Sequence, residues 1–147
     1  MGRYRLTRRI AAPPEAVFRA FTEPALIADW MAGTGAIDVD GPLDVPGSTY
    51  TLVIGGPWRF RVTVIRSEPP VVHETRLIGR IGALAHLVAE LTPSDGATRL
   101  DLFTEYTVPF GALGRWIDRR WIDREPRTQA NRELDRLVEL VSTAQPA

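Results

Sequence analysis

Between residues 49 and 107 the chain switches between apolar and polar side chains every second residue, broken at short intervals by turn residues. From about residue 112 the apolar spacing becomes helical and stays so to about 143. No other sequence feature constrains the fold as much. Tyr50, Leu52 and Ile54 alternate with Thr49, Thr51 and Val53. Gly55, Gly56 and Pro57 make a turn, and Trp58, Phe60, Val62 and Val64 then alternate with Arg59, Arg61 and Thr63. Two alternating runs joined by a glycine turn read as a hairpin. Further strands follow at 71–78 and 83–91, and a last one carries Leu100, Leu102, Thr104 and Tyr106 on one parity. The 83–91 run is ambiguous in period, because Leu84, Leu87, Val88 and Leu91 fall on both parities. Consecutive strands joined by short turns form an antiparallel meander, with one face buried and the other wet.

The flanks complete the pattern. Residues 3–11 alternate, with Tyr4, Leu6 and Ile10 opposite Arg3, Arg5 and Arg9. Pro13 and Pro14 stop this strand and suit the first turn of a helix. Val17, Phe18 and Phe21 sit at helical spacing; Pro24 interrupts, and Leu26, Ile27 and Trp30 begin a second short helix. Residues 32–47 read as a Gly- and Pro-rich loop with one short strand at 36–40. In the final segment Ala130, Leu134, Leu137 and Val141 form an apolar stripe. Pro126 predicts a kink, and a continuous helix over 112–143 spans roughly 45 Å at 1.5 Å per residue. Only this helix is long enough to cover the buried face of the sheet. Layer logic therefore gives an α+β domain over 1–147, with a curved antiparallel sheet of about six to seven strands wrapped around a long C-terminal helix and two short helices after the first strand.

Composition removes whole classes of chemistry. There is no cysteine, which excludes disulfides, thiolate metal sites and thiol catalysis. All 18 basic side chains are arginine, so no lysine can form a Schiff base or serve a phosphate loop. Arginine clamps anions but shuttles protons poorly. Proton transfer near neutral pH therefore falls to His73, His86, a perturbed carboxylate, a tyrosine or water. Formal net charge is +0, and the final helix interleaves its arginines with Asp118, Asp123, Glu125, Glu133, Asp135 and Glu139. That mixture describes a solvated helix face and not a nucleic-acid surface. Two histidines thirteen residues apart fit no metal-ligand spacing, and no nucleophile elbow or dinucleotide fingerprint is present. No metal and no cofactor are expected. No apolar run is long enough to span a membrane, and the N-terminus lacks the apolar core of a signal peptide, so the expected location is cytoplasmic.

The stretch IAAPPEAVFRAFTEPALIADW (10–30) resembles the N-terminal signature of the START-like or Bet v 1-like (SRPBCC) superfamily, in its bacterial polyketide cyclase/dehydrase-type branch. LTPSDGATRL (91–100) and YTVPFGALG (106–114), leading into an Arg-rich final helix, are similar to that group as well. The resemblance covers nearly the whole chain. It implies the helix-grip fold and usually an internal cavity, while its members range from lipid carriers and hormone receptors to cyclases and co-chaperone-like proteins. Function has to be argued from the site.

With even-numbered residues inward, the predicted wall contains Tyr50, Leu52, Trp58, Phe60, Val62, Leu100, Leu102, Thr104 and Tyr106. The pattern alone describes a solid core as readily as a pocket, and solid cores are commoner; the resemblance favours a pocket. His73 shares parity with Thr75 and Leu77. If that face is inward, burial keeps its imidazole neutral, suited to hydrogen bonding or general-base work; if not, it is an exposed or merely structural histidine. His86 is the weaker candidate. Carried back from Ala130, the helical stripe reaches Arg127, Asp123, Arg120 and Trp116. Arg120 then faces the cavity as an anchor for a carbonyl or carboxylate, unless a kink at Pro126 turns Ile117, Trp121 and Ile122 inward instead. Arg8 shares the parity of Leu6 and Ile10 but can snorkel outward from its strand. Trp30 and the 32–47 loop are placed at the cavity rim.

The ligand-binding set is therefore Trp30, Tyr50, Trp58, Phe60, Thr104, Trp116 and Arg120. Three functions are carried forward. The first is a binder of a hydrophobic, polycyclic or polyketide-like small molecule, which requires a cavity larger than a few waters. The second is a cofactor-free cyclase or dehydratase using His73 as base with Tyr106 or Tyr50 as hydroxyl donors. The third is a co-chaperone-like interaction module, which requires an exposed apolar patch. The expected partner is a hydrophobic small molecule, with no nucleic acid and no membrane insertion; the chain is expected to be a monomer or homodimer.

Overall fold

A computed structural model describes residues 2–31, 34–54, 58–79, 82–107 and 126–143. Strand β1 (Gly2–Ile10) buries Leu6 and Ile10 and exposes Arg3, Arg5 and Arg9. Pro13 is extended and Pro14 opens helix α1 (Pro14–Thr22). Pro24 then ends one helix and starts the next. It holds Glu23 extended, at φ −95° and ψ 119°, so Glu23 closes α1 and precedes α2 (Pro24–Trp30). Where one short strand at 36–40 was expected, β2 (Thr34–Asp40) forms and is slightly longer.

The remaining strands are β3 (Thr49–Ile54), β4 (Trp58–Glu68), β5 (Val72–Gly79), β6 (Leu84–Ser94) and β7 (Ala97–Thr107). They make a seven-stranded sheet in the order β1-β7-β6-β5-β4-β3-β2, every neighbour antiparallel. This is the α+β, helix-grip-like architecture expected from the alternation and the final helix. The C-terminal helix α3 (Pro126–Thr143) lays Ala130, Leu134, Leu137 and Val141 into the core, as the stripe requires. The proposed kink and helical residues 112–125 lie outside the described residues.

The core has two parts. The larger joins Leu6, Ile10, Leu91, Leu100 and Leu102 of the sheet to α1 and α3. The smaller joins Tyr50, Leu52 and Val62 of β3 and β4 to Ile27 of α2 and Leu43 of the 41–48 loop. That loop is strapped to β4: Gly47 N–H donates to the Val64 carbonyl at 2.8 Å, and Val64 N–H to the Ser48 carbonyl at 2.9 Å. Arg8 neither enters the core nor stays free. Its guanidinium donates to Asn131 Oδ1 at 2.6 Å and lies 3.5 Å from Asp135, tying β1 to α3.

One irregularity matters for the site. The β4–β5 register shifts between Val64 and Arg66. Ile65 is the extra residue of a β-bulge, and beyond it the inward parity of β4 changes. Arg66 therefore points out opposite Glu74, and Ser67 faces His73.

Candidate functional site

At the seam of the two cores lies a cavity of about 30 Å³, lined by Phe21, Ile27, Trp30, Met31, Tyr50, Leu52, His73, Thr75, Leu77, Leu87, Ala89 and Leu102. A volume of this kind holds about two waters. It draws side chains from both helices of the α1–α2 pair and from β3, β5, β6 and β7. The wall is almost wholly apolar, and no charged side chain belongs to it among the described residues.

His73 is the polar exception. It is only 4 % exposed, and register sets it beside Ser67 on one strand and Ala89 on the other. Ser67 Oγ and His73 Nδ1 are hydrogen-bonded at 3.2 Å. The imidazole meets the Phe18 ring edge-on, with centroids 5.5 Å apart, and the Phe21 ring at 6.4 Å. Nε2 is buried with no hydrogen-bond partner among the described residues. Burial pushes the His73 pKa down to about 4, with the Asp44 carboxylate pulling weakly the other way. The ring is therefore neutral at physiological pH. Tyr50 is the second polar group of the wall, and burial pushes its phenol up to about 12, so it stays protonated.

The predicted site residues fare differently. Tyr50 and His73 line the cavity together, and Thr75 and Leu77 share the inward parity of His73. Trp30 lines it too, but as a buried wall and not as a rim. It is 3 % exposed, its indole N–H donates to the Ala20 carbonyl at 2.7 Å, and its ring packs edge-on against Phe21. Phe60 is half-buried beside the smaller core. Thr104 is buried, but it is separate from the cavity, and its Oγ1 lacks a hydrogen bond. Burial raises the pKa of the nearby Tyr4, and the proximity of Thr104 opposes that rise without hydrogen-bond geometry between them. Tyr106 does not join His73. Its ring folds over Gly2, its register partner, packs 6.3 Å from Tyr4, and lines a separate open cleft with Arg76, Leu84 and His86. His86 points outward and pairs with Glu74 at 2.7 Å. The Trp58 side chain, Trp116 and Arg120 lie outside the described residues.

Sequence reasoning missed Ser67, Met31 and Phe21 as companions of His73. Phe21 was visible as part of a helical stripe. Ser67 was hidden because the bulge at Ile65 breaks strict alternation. Among the described residues no group of three or more His, Asp or Glu side chains could hold a metal ion, and no helix is long and apolar enough to cross a membrane.

A curved antiparallel sheet closed by helices over an apolar seam defines a helix-grip-like α+β fold. The chain belongs to the family described as "Polyketide cyclase / dehydrase and lipid transport", whose model matches residues 1–142. No curated protein matches it. Among solved structures it is similar to MLL2253 from Mesorhizobium loti, with a TM-score of 0.74 at 16 % identity over 99 % of this chain and 100 % of that one. CV1439 from Chromobacterium violaceum gives a TM-score of 0.71 at 19 % identity over 95 % and 96 %. DynU16, described as a protein of the dynemicin biosynthetic locus, gives 0.66 at 21 % identity, with 98 % of this chain covering 48 % of that one. At these identities the likeness is one of fold.

Proposed function

We propose that this protein binds a hydrophobic small molecule in the cavity between the sheet and its helices. The observation that carries the reading is the seam itself. An apolar wall assembled from two separate core clusters surrounds one buried imidazole whose Nε2 has no partner among the described residues. Solid cores do not usually leave such a nitrogen unpaired. The described cavity holds only about two waters, short of the size first required of a pocket. The reading therefore requires the cavity to widen on binding. Met31, unbranched and half-buried where the two clusters meet, is the side chain best suited to give way. Family membership supports a hydrophobic ligand without specifying it.

The test is mass spectrometry on a denaturing extract of protein purified from its native host. A co-purified organic molecule that re-binds fresh protein and is released unchanged supports a binder. An empty extract, together with no thermal shift across a panel of polycyclic phenols and ketones, counts against it.

A second reading, a cyclase- or dehydratase-type enzyme, is favoured by the same imidazole. Unprotonated and hydrogen-bonded to Ser67, His73 is available to take a proton from carbon beside a carbonyl, with the Tyr50 phenol as a hydroxyl donor within the same wall. The burial that keeps it neutral also makes it a weaker base than a free imidazole, so this reading needs a substrate that offsets that burial. Tyr106, in its separate cleft, is the less suitable donor. On this reading the recovered molecule is converted on re-incubation, and His73→Ala lowers turnover on the order of 10²-fold.

A further inference from the structure

We propose that the cavity selects uncharged ligands and that His73 Nε2 is the atom that recognises them, through a hydrogen bond to a carbonyl or hydroxyl oxygen. The proposal rests on the small-molecule reading above and narrows it to a chemical class.

The polar groups of the described wall are few: the Trp30 N–H, the His73 imidazole, and the Tyr50 and Thr75 hydroxyls. The Trp30 N–H is spent on the Ala20 carbonyl. His73 Nδ1 is engaged by Ser67. Nε2 is the wall atom that is buried without a hydrogen-bond partner among the described residues, on a side chain that is 4 % exposed and packed by two phenylalanine rings. A buried nitrogen without a partner carries a desolvation cost that a ligand oxygen can relieve. The Ser67 hydroxyl can donate to Nδ1 or accept from it, so Nε2 is free to serve a carbonyl as a donor or a hydroxyl as an acceptor.

An anion fares differently in the same place. The described wall contains no charged side chain, so none of the described residues offers a counter-ion to a carboxylate that sheds its water on entering. His73 could become that counter-ion only by taking up a proton, which its burial opposes. The Tyr50 phenol can donate to an anion but brings no positive charge. The selection is therefore against charge and not merely for hydrophobicity.

Three probes of similar shape test this on the full chain at pH 7.5 by calorimetric titration: naphthalene, 2-acetylnaphthalene and 2-naphthoate. The ketone is expected to bind about tenfold tighter than the hydrocarbon, the worth of one hydrogen bond to a buried group. The carboxylate is expected to bind at least about tenfold weaker than the ketone. In His73→Phe the ketone's advantage over naphthalene should vanish, whatever the absolute affinity of either. If that variant fails to fold, the wild-type His73 ring nitrogens, followed by NMR, must shift with the ketone and not with naphthalene. The proposal is overturned if 2-naphthoate binds as well as the ketone, if the ketone's advantage survives His73→Phe, or if the ring nitrogens do not respond. Failure of all three probes to bind wild type overturns the small-molecule reading itself, a different outcome from loss of selectivity among probes that do bind.

Discussion

The β1–β7–β6 side of the sheet and the β4–β3 side are built from the same kind of strand with the same antiparallel pairing, yet they are covered differently. On the first, α3 supplies Ala130, Leu134, Leu137 and Val141 and α1 supplies Val17 and Phe18, against Leu6, Ile10, Leu91 and Leu100. On the second, the described cover over Tyr50, Leu52 and Val62 is Ile27 of α2 with Leu43 of the strapped loop, and Met31 beside them. An amphipathic helix delivers one inward side chain every three or four residues, so an eighteen-residue helix fills a surface that a seven-residue helix cannot. The cavity sits where the two covers meet. Among the described residues, its position goes with this difference in helix length.

Mutations on the two sides should separate them. Leu137→Ala, in the closed side, should cost about 4 kcal/mol, whereas Leu52→Ala, which lines the cavity and already lacks packing on one side, should cost about 2 kcal/mol. Urea denaturation measures both, and equal losses would erase the contrast. Next in size is the pH dependence contributed by His73. Its folded pKa, about 4, lies below its ordinary 6.5, so between these values the unfolded chain binds more protons. Stability from this group is complete above pH 6.5 and falls as the pH drops toward 4, by about 3 kcal/mol in total. The slope should disappear in His73→Phe, and a slope that remains would assign it to other groups. Trp30→Phe removes the hydrogen bond that pins α2 to α1 and should cost about 1 kcal/mol. Because Trp30 also lines the cavity, the same variant should change probe binding, and Leu137→Ala should not. Smallest are the two glycines under aromatic rings. A Cβ on Gly79 would lie 2.7 Å from Phe60 Cε1, and one on Gly2 would run into the Tyr106 ring. In each case a partly exposed ring can swing aside, so alanine at either position should cost only about 1 kcal/mol by thermal melts, the low end for overpacking.

Alternation made most of the sheet legible, including the inward faces of β1, β3 and β7 and the inward turn of His73 beside Thr75. It failed on β6, where Leu87, Ala89 and Leu91 face in while Val88 and Leu84 face out. Val88 is apolar on the outer face because it stands opposite Phe103, which in turn lies 5.1 Å beneath the Arg5 guanidinium. Parity also names a face without fixing a position along it, so His73 and Tyr106 looked like partners when register puts Tyr106 opposite Gly2 and His73 opposite Ser67. The size of the cavity was not legible at all, because it depends on how far α2 and α3 reach over the sheet.

The bulge at Ile65 has a consequence for how this chain can vary. Ile65 has no counterpart across β5, whereas Val64 stays opposite Thr75 and Ser67 opposite His73. Deleting any one of residues 64–66 would remove the bulge and keep Ser67 opposite His73, but only the loss of Ile65 also leaves Val64 inward and Arg66 outward; either other loss puts Ile65 in the missing neighbour's place. The bulge thus lets β4 lose one residue at any of three consecutive positions without moving Ser67 off the imidazole, whereas a loss between Ser67 and the turn at 69–70 has no spare residue to absorb it.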